Sequence, residues 1–200
     1  MPAKAVFLDR DGVLIRDSGL ITSIAQMELM PGVPQALLDL RNRGFLLPVV
    51  TNQAVIARGL ATEEAVNSMN AWIASKIQRC GGPALTGFYV CPHHPKADIP
   101  AYRCDCDCRK PRPGLLLRAA AEWKIELRAS FLIGDSISDI AAGQRVGCTT
   151  ILVKTGQHEA ALIESPEAMD NVRPAGECAD LPRAAAWIRA HCGEAEAKPC

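Results

Sequence analysis

Short apolar runs recur along the chain, and each ends at polar or turn-forming residues. The first covers residues 5–8 and stops at Asp9. Apolar runs bounded by a turn signal are typical of strands buried on both faces of a parallel sheet. Similar runs predict further strands at residues 45–50, 85–90, 131–133 and 150–153. Pro48 fits the second strand poorly, because proline donates no hydrogen bond to a sheet and avoids its central strands.

Amphipathic stretches lie between these runs and predict helices. Apolar residues recur at helical spacing from Val33 to Leu40, and Gly44 ends that helix. Thr62 is followed by two glutamates. This is a good helix start, because a hydroxyl caps free amides and acids favour the positive end of the dipole. Further helices are predicted at residues 115–123, 140–146 and 181–191, and a loop at 18–30.

Strands that alternate with helices indicate βαβ units joined by right-handed crossovers. The sequence therefore predicts an α/β fold, a three-layer Rossmann-like parallel sheet. Residues 1–192 are expected to form one domain, and residues 193–200 a disordered tail. The stretch between the first strand and the first helix is too short for a large cap domain.

Composition narrows the class of protein. Lys and Arg together number 22, as do Asp and Glu, so the net charge gives no general attraction to nucleic acid or anionic membrane. Charged residues interrupt the only apolar run near the start, and no stretch approaches the roughly twenty apolar residues of a membrane-spanning helix. We therefore expect a monomeric cytoplasmic protein that binds neither nucleic acid nor membrane.

Nine cysteines are many for a protein of the reducing cytoplasm. Clustered cysteines indicate a metal site there more often than disulfides. Four of them lie close together in sequence: Cys91, Cys104, Cys106 and Cys108. The others are scattered and are expected to be small buried hydrophobic residues or tail residues.

Polar residues suited to phosphate chemistry follow several predicted strands. Asp9 and Asp11 follow the first strand, Thr51 the second and Asp135 the fourth, while Lys110 precedes a helix. In parallel sheets, ligands bind at the edge formed by the carboxyl ends of the strands. A phosphoryl group carries spread negative charge, which Mg²⁺, an ammonium group and neutral donors stabilise. Each residue alone fits an ordinary surface position, and the first two a solvated turn, but together they indicate a phosphoryl-transfer site.

The order of these motifs resembles the haloacid dehalogenase superfamily: Asp-x-Asp-Gly-Val at 9–13, Thr-Asn-Gln at 51–53, Lys-Pro at 110–111 and Gly-Asp-x-x-x-Asp at 134–139. Finer features resemble its heptose bisphosphate phosphatases and their histidinol-phosphatase relatives: residues 56–59, 91–95 and 106–111. The resemblance extends from about residue 5 to residue 181. It implies an Mg²⁺-dependent phosphatase that removes the 7-phosphate of a heptose 1,7-bisphosphate, on the route to ADP-heptose and the lipopolysaccharide core.

The resemblance also implies a role for each site residue. Asp9 would be the nucleophile that forms an aspartyl-phosphate, and Asp11 the general acid and base. Mg²⁺ would be held by the Asp9 carboxylate, the Asp11 backbone carbonyl and Asp135. Asp139 either orients Lys110 or the metal shell, or is an acid at a helix start, which the dipole favours. The phosphoryl group and the rest of the substrate would be bound by Thr51, Asn52, Gln53, Arg58, Arg109 and Lys110.

The cysteine cluster contains a normal ligand set for a closed structural zinc site, three thiolates and one imidazole: Cys91, His93, Cys106 and Cys108. Such a site would fold its loop, residues 91–108, and hold Lys110 close behind the last ligand. Cys104 could compete for the zinc and His94 could replace His93, so both alternatives stay open, as does a cluster of unliganded thiols.

Two departures from the family pattern bear on the substrate. Ala54 and Val55 stand where members often have Ser-Gly, and Ser136 stands where a lysine often follows the aspartate. Loss of that lysine could lower activity or shift the sugar preference. Histidinol phosphate remains an alternative substrate, although Arg58 suits a second phosphate. A zinc-stabilised nucleic-acid module and a catalytically inactive binding protein are the rivals from other classes.

Overall fold

The computed structural model describes residues 2–156 and 172–192, so the predicted tail at 193–200 lies outside the described residues. The strands are β1 (Lys4–Leu8), β2 (Phe45–Leu46), β3 (Pro48–Asn52), β4 (Gly87–Cys91), β5 (Phe131–Gly134), β6 (Thr149–Val153) and β7 (Gly176–Cys178). The helices are α1 (Val33–Asn42), α2 (Ala54–Ala57), α3 (Glu63–Arg79), α4 (Gly114–Trp123), α5 (Ile137–Arg145) and α6 (Leu181–His191). Single 3₁₀ turns lie at Ile24–Gln26, Pro100–Tyr102 and Leu127–Ala129.

All strand pairs of the sheet are parallel, in the order β4-β3-β1-β5-β6-β7, and β2 pairs with the start of β1. The register sets Leu8 opposite both Val49 of β3 and Ile133 of β5. The carboxyl ends of these three strands therefore lie side by side at one edge. Asp9 and Asp135 each follow the end of a strand at this edge.

Helices cover both faces of the sheet, because alternate strand residues point to opposite sides. Val6 and Leu8 of β1 pack into one core cluster with the apolar faces of α1, α3 and α6. Ala5 and Phe7 pack into a second cluster with α4 and α5. These three layers confirm the predicted α/β class. Among the described residues, the segment between β1 and α1 contains one 3₁₀ turn and two isolated β-bridges, and no large cap covers the edge.

Several boundaries differ from the predicted ones. The run at 45–50 forms two short strands, and Pro48 is the first residue of the second. Proline is tolerated at the start of a strand, so the conflict with a central position is avoided. The third predicted strand begins later, at Gly87, and extends to Cys91. The sequence pattern missed α2 and β7, because four and three residues are too few to show a period.

Helix α5 begins at Ile137, three residues before the predicted start. Ser136 is its N-cap, and Asp139 completes a capping box in which each side chain bonds the other's backbone amide. The residue that departs from the family pattern thus has a structural part in starting this helix.

Among the residues that the structure describes, no helix is long and apolar enough to cross a membrane.

Candidate active site

A buried lysine joins the carboxyl ends of two neighbouring strands. The Lys110 ammonium lies 2.7 Å from Asp9 Oδ1 and 2.5 Å from Asp139 Oδ1, and it donates to the Val50 carbonyl at 2.9 Å. Its side chain is only 3% exposed. Although burial acts to lower the pKa of Lys110, the charges of Asp139 and Asp9 raise it. The lysine therefore stays charged and holds the Asp9 carboxylate in a fixed position.

Carboxylates outnumber the cation in this cluster. Oxygens of Asp9, Asp135 and Asp139 all lie within 4.8 Å of one another. Burial, opposed by Lys110 and reinforced by Asp139, raises the pKa of Asp9 to about 7. Burial and the charge of Asp9 raise the pKa of Asp135 to about 9. Three carboxylates share one ammonium, and the raised pKa values indicate that their full ionisation needs a further cation. Hard carboxylate oxygens are ligands that Mg²⁺ prefers, so the donor set fits that ion.

Two glycines leave room for the Asp135 carboxylate. A Cβ at either Gly12 or Gly156 would overlap this carboxylate, and a Cβ at Gly12 would also approach the Gly156 backbone. Gly12 has φ +77°, a conformation that glycine adopts without strain. The Thr155 hydroxyl donates to the Gly12 carbonyl and joins the two segments. Asp135 is therefore fixed between two backbone segments, which orients it towards Asp9.

The side chain of Asp11 lies outside this carboxylate cluster. It accepts a hydrogen bond from Gln53 Nε2 at 2.8 Å, and the same amide group donates to Thr51 Oγ1 at 2.8 Å. The Arg10 guanidinium also binds this carboxylate, with Nη2 at 2.8 Å from both oxygens. Asp11 is thus held by Arg10, which follows β1, and by Gln53, which follows β3. Thr51 lies beside this group and is 1% exposed.

The predicted substrate contacts include two side chains that bond to other site residues, Asn52 and Gln53, and two arginines, Arg58 and Arg109. Asn52 forms two hydrogen bonds with the Lys110 backbone, donating to its carbonyl at 3.1 Å and accepting from its amide at 3.0 Å. Arg109 donates to the His93 carbonyl at 3.2 Å, and Arg58 is exposed at the end of α2. Asn52 and Gln53 therefore support other site residues here, and a direct role in substrate binding stays a prediction for all four.

The structure brings the predicted zinc ligands together. The three Sγ atoms of Cys91, Cys106 and Cys108 lie 3.1–3.6 Å apart, and His93 Nδ1 lies 3.4 Å from Cys108 Sγ. Zinc–sulfur bonds of about 2.3 Å place tetrahedral ligands about 3.8 Å apart, so the four atoms fit this ion. Burial raises the pKa of the Cys91 thiol, and it raises the pKa of the Cys108 thiol to about 11. Metal binding to thiolates would release these protons.

The two alternative ligands are placed elsewhere. Cys104 is exposed and does not belong to the ligand group that the described residues form. His94 is buried, and its Nδ1 accepts the amide hydrogen of Lys96 at 3.0 Å. That hydrogen bond engages one ring nitrogen within its own turn, whereas His93 faces the thiols.

Two residues near the site were missed by sequence reasoning. Arg10 is the largest fully buried side chain of the described residues, and Asn70 of α3 lies beside its guanidinium. An arginine between two aspartates is a weak signal, because the motif does not show whether its side chain faces solvent.

Asp139 meets both of its predicted descriptions, since one oxygen faces Lys110 and the other closes the helix cap.

Comparison with known proteins assigns this parallel sheet and its buried carboxylate–lysine cluster to a class, the hydrolases of the haloacid dehalogenase type. The HAD-hydrolase-like family model matches residues 107–183, which include Lys110, Asp135 and Asp139. The crystal structure of D,D-heptose 1.7-bisphosphate phosphatase from B. bronchiseptica, complexed with magnesium and phosphate, aligns with a TM-score of 0.76 and 29% identity. The alignment covers 92% of this chain and 97% of that one.

Sequence relatives narrow the class. The D-glycero-beta-D-manno-heptose-1,7-bisphosphate 7-phosphatase of Photorhabdus laumondii is 40% identical over 187 residues, 92% of this chain and 96% of that protein. The protein of the same name from Escherichia coli is 41% identical over 155 residues, 76% of this chain and 80% of that protein. The chain belongs to this family of heptose bisphosphate phosphatases. It is therefore an enzyme, a phosphoric monoester hydrolase, as the motifs predicted.

Proposed function

We propose that this protein removes the 7-phosphate of D-glycero-D-manno-heptose 1,7-bisphosphate in an Mg²⁺-dependent reaction. The observation that carries the proposal is the cluster of Asp9, Asp135 and Lys110 at one sheet edge, in a chain about 40% identical to phosphatases of that name. The magnesium and phosphate bound to a structural neighbour agree with this chemistry.

The proposed mechanism has two steps. Asp9 attacks phosphorus and forms an aspartyl-phosphate while the bond to the sugar oxygen breaks. Asp11 gives its proton to that oxygen and then takes one from the water that hydrolyses the aspartyl-phosphate. Lys110 fixes the nucleophile at 2.7 Å and, together with Thr51, stabilises the phosphoryl oxygens. Bound Mg²⁺, held by Asp9, the Asp11 carbonyl and Asp135, would neutralise phosphoryl charge.

The zinc loop would support the same site without taking part in the chemistry. Cys108 is followed directly by Arg109 and Lys110, and the Arg109 guanidinium donates back to the His93 carbonyl. A structural zinc ion on Cys91, His93, Cys106 and Cys108 would fix this loop. It would thereby hold Lys110 in reach of Asp9.

The cellular setting follows from the proposed substrate. Removal of the 7-phosphate leaves a heptose 1-phosphate, which is suited to nucleotide activation on the route to ADP-heptose and the lipopolysaccharide core. We infer a monomeric cytoplasmic enzyme, one domain over residues 1–192, whose partner is a small sugar phosphate. Neither nucleic acid nor membrane is needed for this role.

Histidinol phosphate is the second candidate substrate, because the related phosphatases share the nucleophile pair and the zinc loop. Arg58 favours the bisphosphate: its exposed position at the end of α2 suits a contact with a second phosphate group. Replacing Arg58 by Ala should therefore raise KM for the bisphosphate more than for a monophosphate.

The direct test is phosphate release from heptose 1,7-bisphosphate, measured beside histidinol phosphate and fructose 1,6-bisphosphate with magnesium present. We expect the highest kcat/KM for the heptose, with the 7-phosphate removed. Preference for histidinol phosphate would replace the proposal with the second candidate. If all three are inert and the protein binds nucleic acid in a salt-sensitive filter assay, the enzyme proposal is wrong.

The covalent step has its own test. Asp9→Asn should abolish turnover, because an amide cannot attack phosphorus, while zinc content and secondary structure stay unchanged. Asp39→Asn, at an exposed aspartate of α1, is the control and should keep normal activity. Near-normal phosphate release by the Asp9 variant would show that no aspartyl-phosphate forms.

A further inference from the structure

The guanidinium of Arg10 is buried directly behind Asp11. Its residue is 0% exposed, and its Nη2 lies 2.8 Å from both carboxylate oxygens while Nε lies 3.1 Å from Oδ1. A buried charge needs a hydrogen-bonded partner of opposite sign, because the free-energy cost of removing it from water otherwise exceeds the stabilisation gained from packing. Among the described residues, Asp11 is the carboxylate that forms this ion pair with Arg10.

A third residue orients the guanidinium. Asn70 of α3 is 3% exposed, and its Oδ1 accepts a hydrogen bond from Arg10 Nη1 at 3.4 Å. Its Nδ2 is buried and has no hydrogen-bond partner among the described residues. The contact of its Oδ1 with Nη1 therefore limits the orientations that the guanidinium can take. A buried polar pair of this kind adds rigidity rather than net stability.

We propose that Arg10 is the positioning residue for Asp11: its planar guanidinium, oriented by Asn70, fixes the carboxylate at the distance from which it reaches the sugar oxygen. This inference rests on the proposed function, because it assigns Asp11 the proton transfer. Gln53 Nε2 donates to Oδ2 of the same carboxylate at 2.8 Å. Together the two contacts leave Asp11 little rotational freedom, and a planar fork constrains a carboxylate more than a single ammonium does.

The inference predicts a loss that depends on the leaving group. When the phosphorus–oxygen bond breaks, a sugar alkoxide needs the proton of Asp11, whereas p-nitrophenolate leaves readily without one. The value of kcat/KM covers the steps up to formation of the aspartyl-phosphate, in which this proton is given. A misplaced Asp11 should thus lower kcat/KM for the sugar phosphate and leave that for p-nitrophenyl phosphate nearly unchanged. A general loss of folding would lower both values equally.

The central experiment compares Arg10→Met and Arg10→Lys with the unchanged enzyme on heptose 1,7-bisphosphate and p-nitrophenyl phosphate. General acid catalysis contributes about 10²–10⁴-fold, so we expect the methionine variant to lose at least about 30-fold on the sugar and less than about 3-fold on the aryl phosphate. Lysine keeps the charge without the fork and should regain part of the sugar activity. Equal losses on both substrates would overturn the inference.

Arg16→Met is the matched control, because Arg16 forms a similar pair with Glu28 at 2.8 Å but its side chain is 58% exposed. This variant should leave kcat/KM unchanged for both substrates. If Arg10→Met does not fold, Asn70→Ala gives the answer, since it leaves the buried ion pair in place. A sugar-selective loss of about 3-fold or more supports positioning, and an unchanged ratio of the two kcat/KM values refutes it.

Asp11→Asn separates this inference from the proposed function. If that variant loses the sugar reaction selectively and Arg10→Met does not, the positioning role alone is wrong. If Asp11→Asn lowers kcat/KM equally for both substrates, the acid role of Asp11 is wrong and the inference is wrong with it; a common loss of kcat alone reports its role as base in the second step.

Discussion

Lys110 is the one cation that the structure shows between the carboxylates of Asp9 and Asp139 in the described cluster. Its replacement by methionine keeps most of the side-chain volume and removes the charge. Two buried carboxylates then face each other without the ammonium, and the Val50 carbonyl loses its donor. We expect this change to destabilise the fold as well as to stop turnover.

The size of the effect follows from burial. Removing one partner of a buried ion pair leaves an uncompensated charge and costs about 3–5 kcal/mol. The Lys110 side chain is 3% exposed and contacts two carboxylates, so solvent screens little of this interaction. The cost should be smaller at pH 6 than at pH 8. The pKa of Asp9 is already about 7, and loss of the lysine raises it, so at pH 6 the acid is protonated and needs no partner.

Urea unfolding without added magnesium measures this free energy, with an unchanged m-value as the sign that the unfolding transition is comparable. Lys154→Met is the control. Lys154 pairs with Glu177 at 3.0 Å, but its side chain is 60% exposed, and a surface pair contributes about 0–1 kcal/mol. A loss for Lys110→Met no larger than for Lys154→Met, or a larger loss at pH 6 than at pH 8, would refute the reasoning.

Two further changes test the predicted metal sites. Cys108→Ser should lower both the zinc content and the free energy of unfolding, because the closed ligand set loses a thiolate. The control Cys104→Ser, at an exposed cysteine, should change neither quantity. Metal analysis and urea unfolding measure the two quantities. Loss of zinc from the Cys104 variant would contradict this ligand set. Gly156→Ala should weaken Mg²⁺ binding about tenfold, about 1.4 kcal/mol, because its Cβ overlaps the Asp135 carboxylate. Calorimetric titration measures this, with Thr155→Ser, which keeps the hydroxyl donor, as the control.

The sequence alone was sufficient for the fold class, and it pointed to the sheet edge where the structure brings the candidate site residues together. Buried strands appear as apolar runs and helices as a repeat of three to four residues, and both signals are local. Because parallel strands bring their carboxyl ends together, the approach of Asp9 to Asp135 followed from the strand ends, whereas Lys110, which precedes a helix, was grouped with them on the chemistry of a phosphoryl site. The Cys/His cluster was also visible in the sequence, since its members form two closely spaced pairs, although Cys104 and His94 remained alternatives.

Only the tertiary structure decided which groups touch. Lys110 and Asp9 are 101 residues apart, and Arg10 and Asn70 are 60 apart, so no local pattern records these contacts. The burial of Arg10, the space that Gly156 leaves for Asp135 and the preference for His93 over His94 depend on side-chain direction and packing. Periodicity shows which face of an element is buried. The partners that a buried charge meets there are set by the assembled layers.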